Sequence, residues 1–159
     1  MKILSLIFVS ITLFNLVGCG SSKEKSLKQS TELTSSYNIV IGSGGGFTGI
    51  YGGYYLDTLG NISKWEGRVF SDKNLKYIST LNPEQLHKIS KLISDKDVLN
   101  TSYNKSGNIS SSIQFSSKYL THSVSWSGFE PTNSVPINIR EFYSTLRKII
   151  NDEINKQSQ

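Results

Sequence analysis

Residues 38–57 read NIVIGSGGGFTGIYGGYYLD, and two architectures compete for them. Gly44-x-Gly46-x-x-Gly49, directly after the apolar run Ile39-Val40-Ile41, has the spacing of a dinucleotide-binding turn. Such a turn needs a helix immediately after the glycines, because the helix N-terminus receives the pyrophosphate. The residues that follow are Ile50-Tyr51-Gly52-Gly53-Tyr54-Tyr55, which are poor helix formers and carry the β-branched and aromatic character of a strand. No Lys-Ser or Lys-Thr pair closes the glycine run, as a P-loop would require. The stretch is therefore read as strand, glycine loop over 42–49, strand, with the glycines supplying positive φ. No nucleotide is expected.

Working outward, residues 37–41 and 50–57 form two strands, with Gly52 and Gly53 marking a bulge or a close backbone approach. Thr58-Leu59-Gly60-Asn61 supplies turn residues, and residues 62–69 alternate as a returning strand. Asn82-Pro83-Glu84-Gln85 has the layout of a helix start: a capping asparagine, proline at the first helical position and a glutamine that reaches back. Leu86, Ile89, Leu92 and Ile93 follow at helical spacing. Residues 109–115 alternate as a fourth strand, Ser116-Ser117-Lys118 makes a tight connection, and residues 119–126 form a fifth in which Leu120, His122, Val124 and Trp126 share a face. From Pro136 a last helix carries the stripe Ile139, Phe142, Tyr143, Leu146, Ile149 and Ile150. The order βββ-α-ββ-α predicts an α+β fold: an antiparallel sheet of about five strands with two helices packed on one face.

The N-terminal region belongs to export rather than to the fold. Lys2 followed by the apolar run 3–17 has the form of a secretory signal, and polar residues at 5, 10, 12 and 15 interrupt it before it reaches the roughly 20 residues of a membrane span. Leu16-Val17-Gly18-Cys19 resembles the lipobox of bacterial lipoproteins. That resemblance implies lipidation of Cys19, cleavage before it, and a home in the cell envelope, anchored to a membrane. Cys19 is the single cysteine of the chain, and a lone thiol in an exported protein otherwise needs a partner. The expected organisation is a signal peptide over 1–18, a lipidated cysteine and polar tether over 19–36, one α+β domain over 37–154 and a polar tail over 155–159. The formal net charge of +5 is spread along the chain. With no basic stripe, nucleic acid is not expected as a partner.

Catalytic constellations are weak. His87 and His122 are the only histidines and lie on different elements, so no metal site is expected. His122 on an apolar strand face reads as a satisfied, half-buried side chain. Neither a G-x-S-x-G elbow nor a distinctive carboxylate pair is present among acids such as Asp57, Glu66 and Glu130. The chain is read as a non-enzyme without a cofactor, against an envelope hydrolase or an immunity-type lipoprotein as alternatives. What is distinctive is aromatic residues on small polar loops, the composition of a protein-recognition surface. The candidate contact residues are Gly44, Gly45, Gly46, Phe47 and Thr48, then Tyr103 and Asn104, then Phe129. For Phe47 two dispositions compete: projection toward a partner, or packing back over the sheet edge.

The order of motifs resembles emfourin, a family of small bacterial inhibitors of thermolysin-type metalloproteases. Members open with a strand leading into Ser-Gly-Gly-Phe-x-Gly, and Ser43 to Gly49 give that pattern with one additional glycine. Gly107-Asn108, His122-Ser123-Val124 and the helix from Pro136 are similar to the family's later turn, His-x-Val strand and final helix. The likeness spans residues 37–151 and implies a protein partner, with protease inhibition as its finer form. A longer tyrosine-rich meander with Trp65 and the lipid anchor depart from the family pattern.

Overall fold

In the computed structural model the described residues are 36–157. The expected signal peptide, Cys19 and nearly all of the tether lie outside them. The fold is α+β. Six antiparallel strands form one sheet: β1 (Asn38–Gly45), β2 (Ile50–Leu56), β3 (Asn61–Gly67), β4 (Lys76–Thr80), β5 (Ile109–Ser116) and β6 (Thr121–Ser127), in the spatial order β4-β3-β2-β1-β5-β6. Two helices, α1 (Pro83–Asp95) and α2 (Ile137–Lys156), cover one face.

Alternation sets which side chains meet the helices. Ile39 and Ile41 of β1, Leu56 of β2, Ile62 of β3, Ile113 and Phe115 of β5, and Val124 and Trp126 of β6 join Ile89, Ile93, Ile139, Phe142, Leu146 and Ile150 of the helices in one core. Helix α1 starts as its sequence dictates. Asn82 Oδ1 accepts from Gln85 N, and Gln85 Oε1 accepts from Asn82 N, each at 2.9 Å, completing a capping box. Gln85 also donates from Nε2 to Glu153 Oε1 at 2.6 Å, tying the start of α1 to the end of α2. Helix α2 runs through Lys156, past the boundary at 154 that composition suggested, with Pro136 at the N-cap position and no side-chain capping bond.

Three elements depart from the sequence reading. The sheet gains β4, whose Lys-Tyr-Ile-Ser-Thr is short and mostly polar and so gave little hydrophobic signal. The glycine run is strand as far as Gly45: Gly42 to Gly45 pair with both Ser112 to Ile109 of β5 and Gly53 to Ile50 of β2. The loop expected over 42–49 thus shrinks to a 3₁₀ turn, Gly46–Thr48. Finally, β2 keeps regular register through Gly52 and Gly53, and the irregularity lies instead in the β3–β4 pairing, where Ile78 of β4 is the extra residue opposite Ile62 and Ser63. Gly53 serves close approach: a Cβ there would sit 2.7 Å from Gly42 Cα.

Among the described residues no helix covers the second face of the sheet. On it Trp65 lies across β1 and donates from Nε1 to Ile41 O at 3.1 Å. Gly42 makes room for it, because a Cβ on Gly42 would overlap the indole ring. Phe70, from the β3–β4 connection, meets the Trp65 ring edge-on at 5.6 Å and the Tyr55 ring at 5.3 Å. Burial, then the nearby carboxylates of Asp57 and Asp72, push the Tyr55 phenol above its usual range.

Candidate functional site

Antiparallel pairing brings four connections to one end of the sheet: the Gly46–Thr48 turn between β1 and β2, residues 68–75 between β3 and β4, residues 101–108 before β5, and residues 128–136 after β6. At the β1–β2 turn, Gly45 and Gly46 take φ of 104° and 66°, a region that L side chains rarely adopt. Thr48 Oγ1 accepts from Ile50 N at 3.2 Å and holds the exit of the turn. Between these ties Phe47 stands fully in solvent, with a relative exposure of 110%. Of the two dispositions open from sequence, projection is the one adopted.

The neighbouring connections are bound to the sheet and to one another. Gly46 N donates to Asn108 O at 2.7 Å, linking the turn to the segment before β5. Within that segment Gly107 N donates to Ser110 Oγ, and the Ser110 hydroxyl donates back to Gly107 O, both at 2.9 Å. Gly128 N donates to Ile109 O at 2.8 Å, and the buried Ser111 hydroxyl donates to Gly128 O at 2.7 Å and Phe129 O at 3.0 Å. The end of the sheet is therefore a braced platform from which a few apolar side chains protrude.

The eight candidate residues separate on this platform. Phe47 and Phe129 are exposed, and Thr48 flanks Phe47. Gly44 and Gly45 are strand residues paired on both sides, so they support the turn and offer little surface of their own. Tyr103 is half-buried against the core. Its hydroxyl donates to Ser134 Oγ at 3.3 Å, its carbonyl accepts from Ser125 N at 2.9 Å, and Lys105 Nζ lies 5.6 Å from its ring centre. Asn104 bridges to Ser125 in parallel, and its Oδ1 accepts the Ser125 hydroxyl at 3.2 Å. Tyr103 and Asn104 thus seal the outer edge of β6 rather than project. Two apolar residues of this end were overlooked from sequence, Ile50 and Val69, at 39% and 77% exposure. Val69 closed the returning strand read over residues 62–69; β3 stops at Gly67, which leaves it in the connection.

The two histidines lie apart from this end. His122 is half-buried, its Nε2 lies 3.1 Å from Thr101 O, and its ring stacks on Phe115 at 6.2 Å. His87 is exposed on α1. Among the described residues no group of three His, Cys, Asp or Glu side chains converges as a metal site would require. After Gly49 the chain enters a strand, so the helix N-terminus that a pyrophosphate turn uses is not at this position. No protein-family model matches this chain, and no curated protein matches it.

Proposed function

We propose that this protein is an envelope lipoprotein, held to a membrane through Cys19, whose domain binds another protein with the loop end of its sheet. The observation that carries the reading is the full exposure of Phe47 on a glycine turn braced from both sides. A rigid, projecting aromatic loses little conformational entropy on burial and is the type of residue that dominates interface energetics. Phe129, Val69 and Ile50 extend the apolar surface at the same end. The likeness of Ser43 to Gly49 to the emfourin opening supports a thermolysin-type protease as the partner and stoichiometric inhibition as the activity. The reading assigns no catalytic role and no cofactor to this chain.

The test is inhibition titrated with the full chain. Loss of protease activity saturates at one equivalent, and Phe47→Ala weakens it by about 2 kcal/mol or more while the thermal midpoint stays in place. Unchanged inhibition in Phe47→Ala removes the loop end from the interface. No inhibition at any ratio removes the protease reading. For the anchor, Cys19→Ser releases the protein from sedimenting membranes; a serine variant that still sediments refutes lipid anchoring at this residue.

A further inference from the structure

A cleft of about 480 Å³ lies on the face of the sheet opposite α1 and α2, and residues 68–70 of the β3–β4 connection, Val69 of the loop end among them, enter its lining. One wall is aromatic and apolar: Tyr51, Phe70 and the edge of Trp65 beside Val40. Ser112 and Gln114 of β5 and the exposed Arg68 complete the lining. Arg68, Ser112 and Gln114 make no side-chain hydrogen bond or ion pair with any described residue. The guanidinium is the one formal charge in the lining, with no carboxylate beside it.

We propose that this cleft binds an acidic saccharide. The lining sorts the classes of ligand. A purely apolar molecule would leave the Gln114 amide and the Arg68 guanidinium desolvated without partners, which is unfavourable. A peptide that adds to a sheet as a further strand does so through main-chain hydrogen bonds at a free edge. Here β1, the floor of the cleft, is paired along its length on both sides, to β2 and to β5, and has none to offer. What the cleft presents is side-chain chemistry alone: ring surface for the C–H face of a pyranose, a hydroxyl and a carboxamide for its equatorial hydroxyls, and a planar cation for a carboxylate. The volume falls in the usual range of small-ligand sites. Gly42 is part of the construction, because only a residue without a side chain lets the Trp65 indole settle against β1 and form the wall.

The experiment uses the full chain in detergent, titrated with two tetrasaccharides: one alternating glucuronic acid and N-acetylglucosamine, the other neutral chitotetraose. Binding is read from tryptophan emission, to which Trp65 in the wall responds while Trp126 is enclosed in the core. A saturable change with the acidic probe, weaker with the neutral one, is expected. Arg68→Ala and Gln114→Ala, neither of which makes a contact that holds the fold, each reduce the affinity about tenfold, with thermal midpoints unchanged. Arg68→Lys keeps part of it. The proposal is overturned by no saturable response to either sugar up to about 10 mM. It is equally overturned by binding indifferent to both substitutions, or by a polyglutamate peptide that binds the cleft more tightly than the acidic sugar.

Discussion

Replacing Gly42 with alanine adds one methyl group, yet it should be among the most damaging small changes available in this domain. The added Cβ would overlap the Trp65 indole, with Cη2 next at 3.1 Å and Cε2 at 3.3 Å. The contact is to a rigid ring that cannot yield by a rotamer adjustment of its far end. The ring must therefore lift off β1, which breaks the Nε1 bond to Ile41 O and uncovers a side chain now only 6% exposed. Full expulsion would forfeit about 2–3 kcal/mol of apolar burial and about 1 kcal/mol of hydrogen bonding. A partial tilt costs about 1–3 kcal/mol, as overpacking does. The expected loss is thus about 2–4 kcal/mol, or about 8–16 °C in the thermal midpoint for a domain of this size. Urea and thermal denaturation followed by circular dichroism measure it, and tryptophan emission should shift to the red in the native state as the indole meets water. The mechanism is specific to the pair. In a Trp65→Leu background the same Gly42→Ala change should cost under about 0.5 kcal/mol, so a double-mutant cycle isolates the coupling. A Gly42→Ala protein within about 0.5 kcal/mol of the parent, or one equally damaged with and without the indole, refutes the reasoning.

Asn82→Ala should lose about 1 kcal/mol of stability, because Gln85 N then lacks its capping acceptor at the exposed start of α1; chemical denaturation checks it. Glu153 is held below the ordinary glutamate pKa, first by the hydrogen bond from Lys156 and then by that from Gln85. A depressed folded-state pKa gives stability that is present above the unfolded value of 4.5 and lost as pH falls through the folded one. Denaturation midpoints of the parent should therefore fall more steeply on acidification below about pH 4.5 than those of Glu153→Gln, and parallel pH profiles would dismiss the linkage. Gly46→Val should reduce both stability and partner binding, since a β-branched residue resists φ of 66°; a valine variant with an unchanged midpoint would show that the turn tolerates another conformation.

How far the sequence spoke for the fold can be traced to particular residues. Helix α1 was legible because its start signals are local: Asn82, Pro83 and Gln85 act on one another within a single turn. The apolar stripe of α2 was legible because every residue in it from Ile139 to Ile150 reaches the same core. Strand β4 was not, because an edge strand with Lys76 and Tyr77 in solvent needs neither alternation nor hydrophobicity; its signal is its pairing with β3. The glycine run misled in a related way. Glycine permits turns, and Gly42 to Gly45 were assigned to one, but the residues that decide their conformation are remote in sequence: the indole of Trp65 above Gly42 and the backbones of β2 and β5 on either side. For the same reason Tyr103 and Phe129 looked alike as loop aromatics. Only the tertiary partners, Ser125 and Ser134 for Tyr103, separate a brace from a projecting side chain. Local rules thus place the elements, while the distinction between a glycine that turns and a glycine that makes room lies in the side chain that lands on it. That distinction matters at both proposed surfaces: Gly46 holds Phe47 out in solvent, and Gly42 seats Trp65 in the wall of the cleft. Substitutions at the two glycines should accordingly impair different activities, Gly46→Val the protein complex and Gly42→Ala the saccharide.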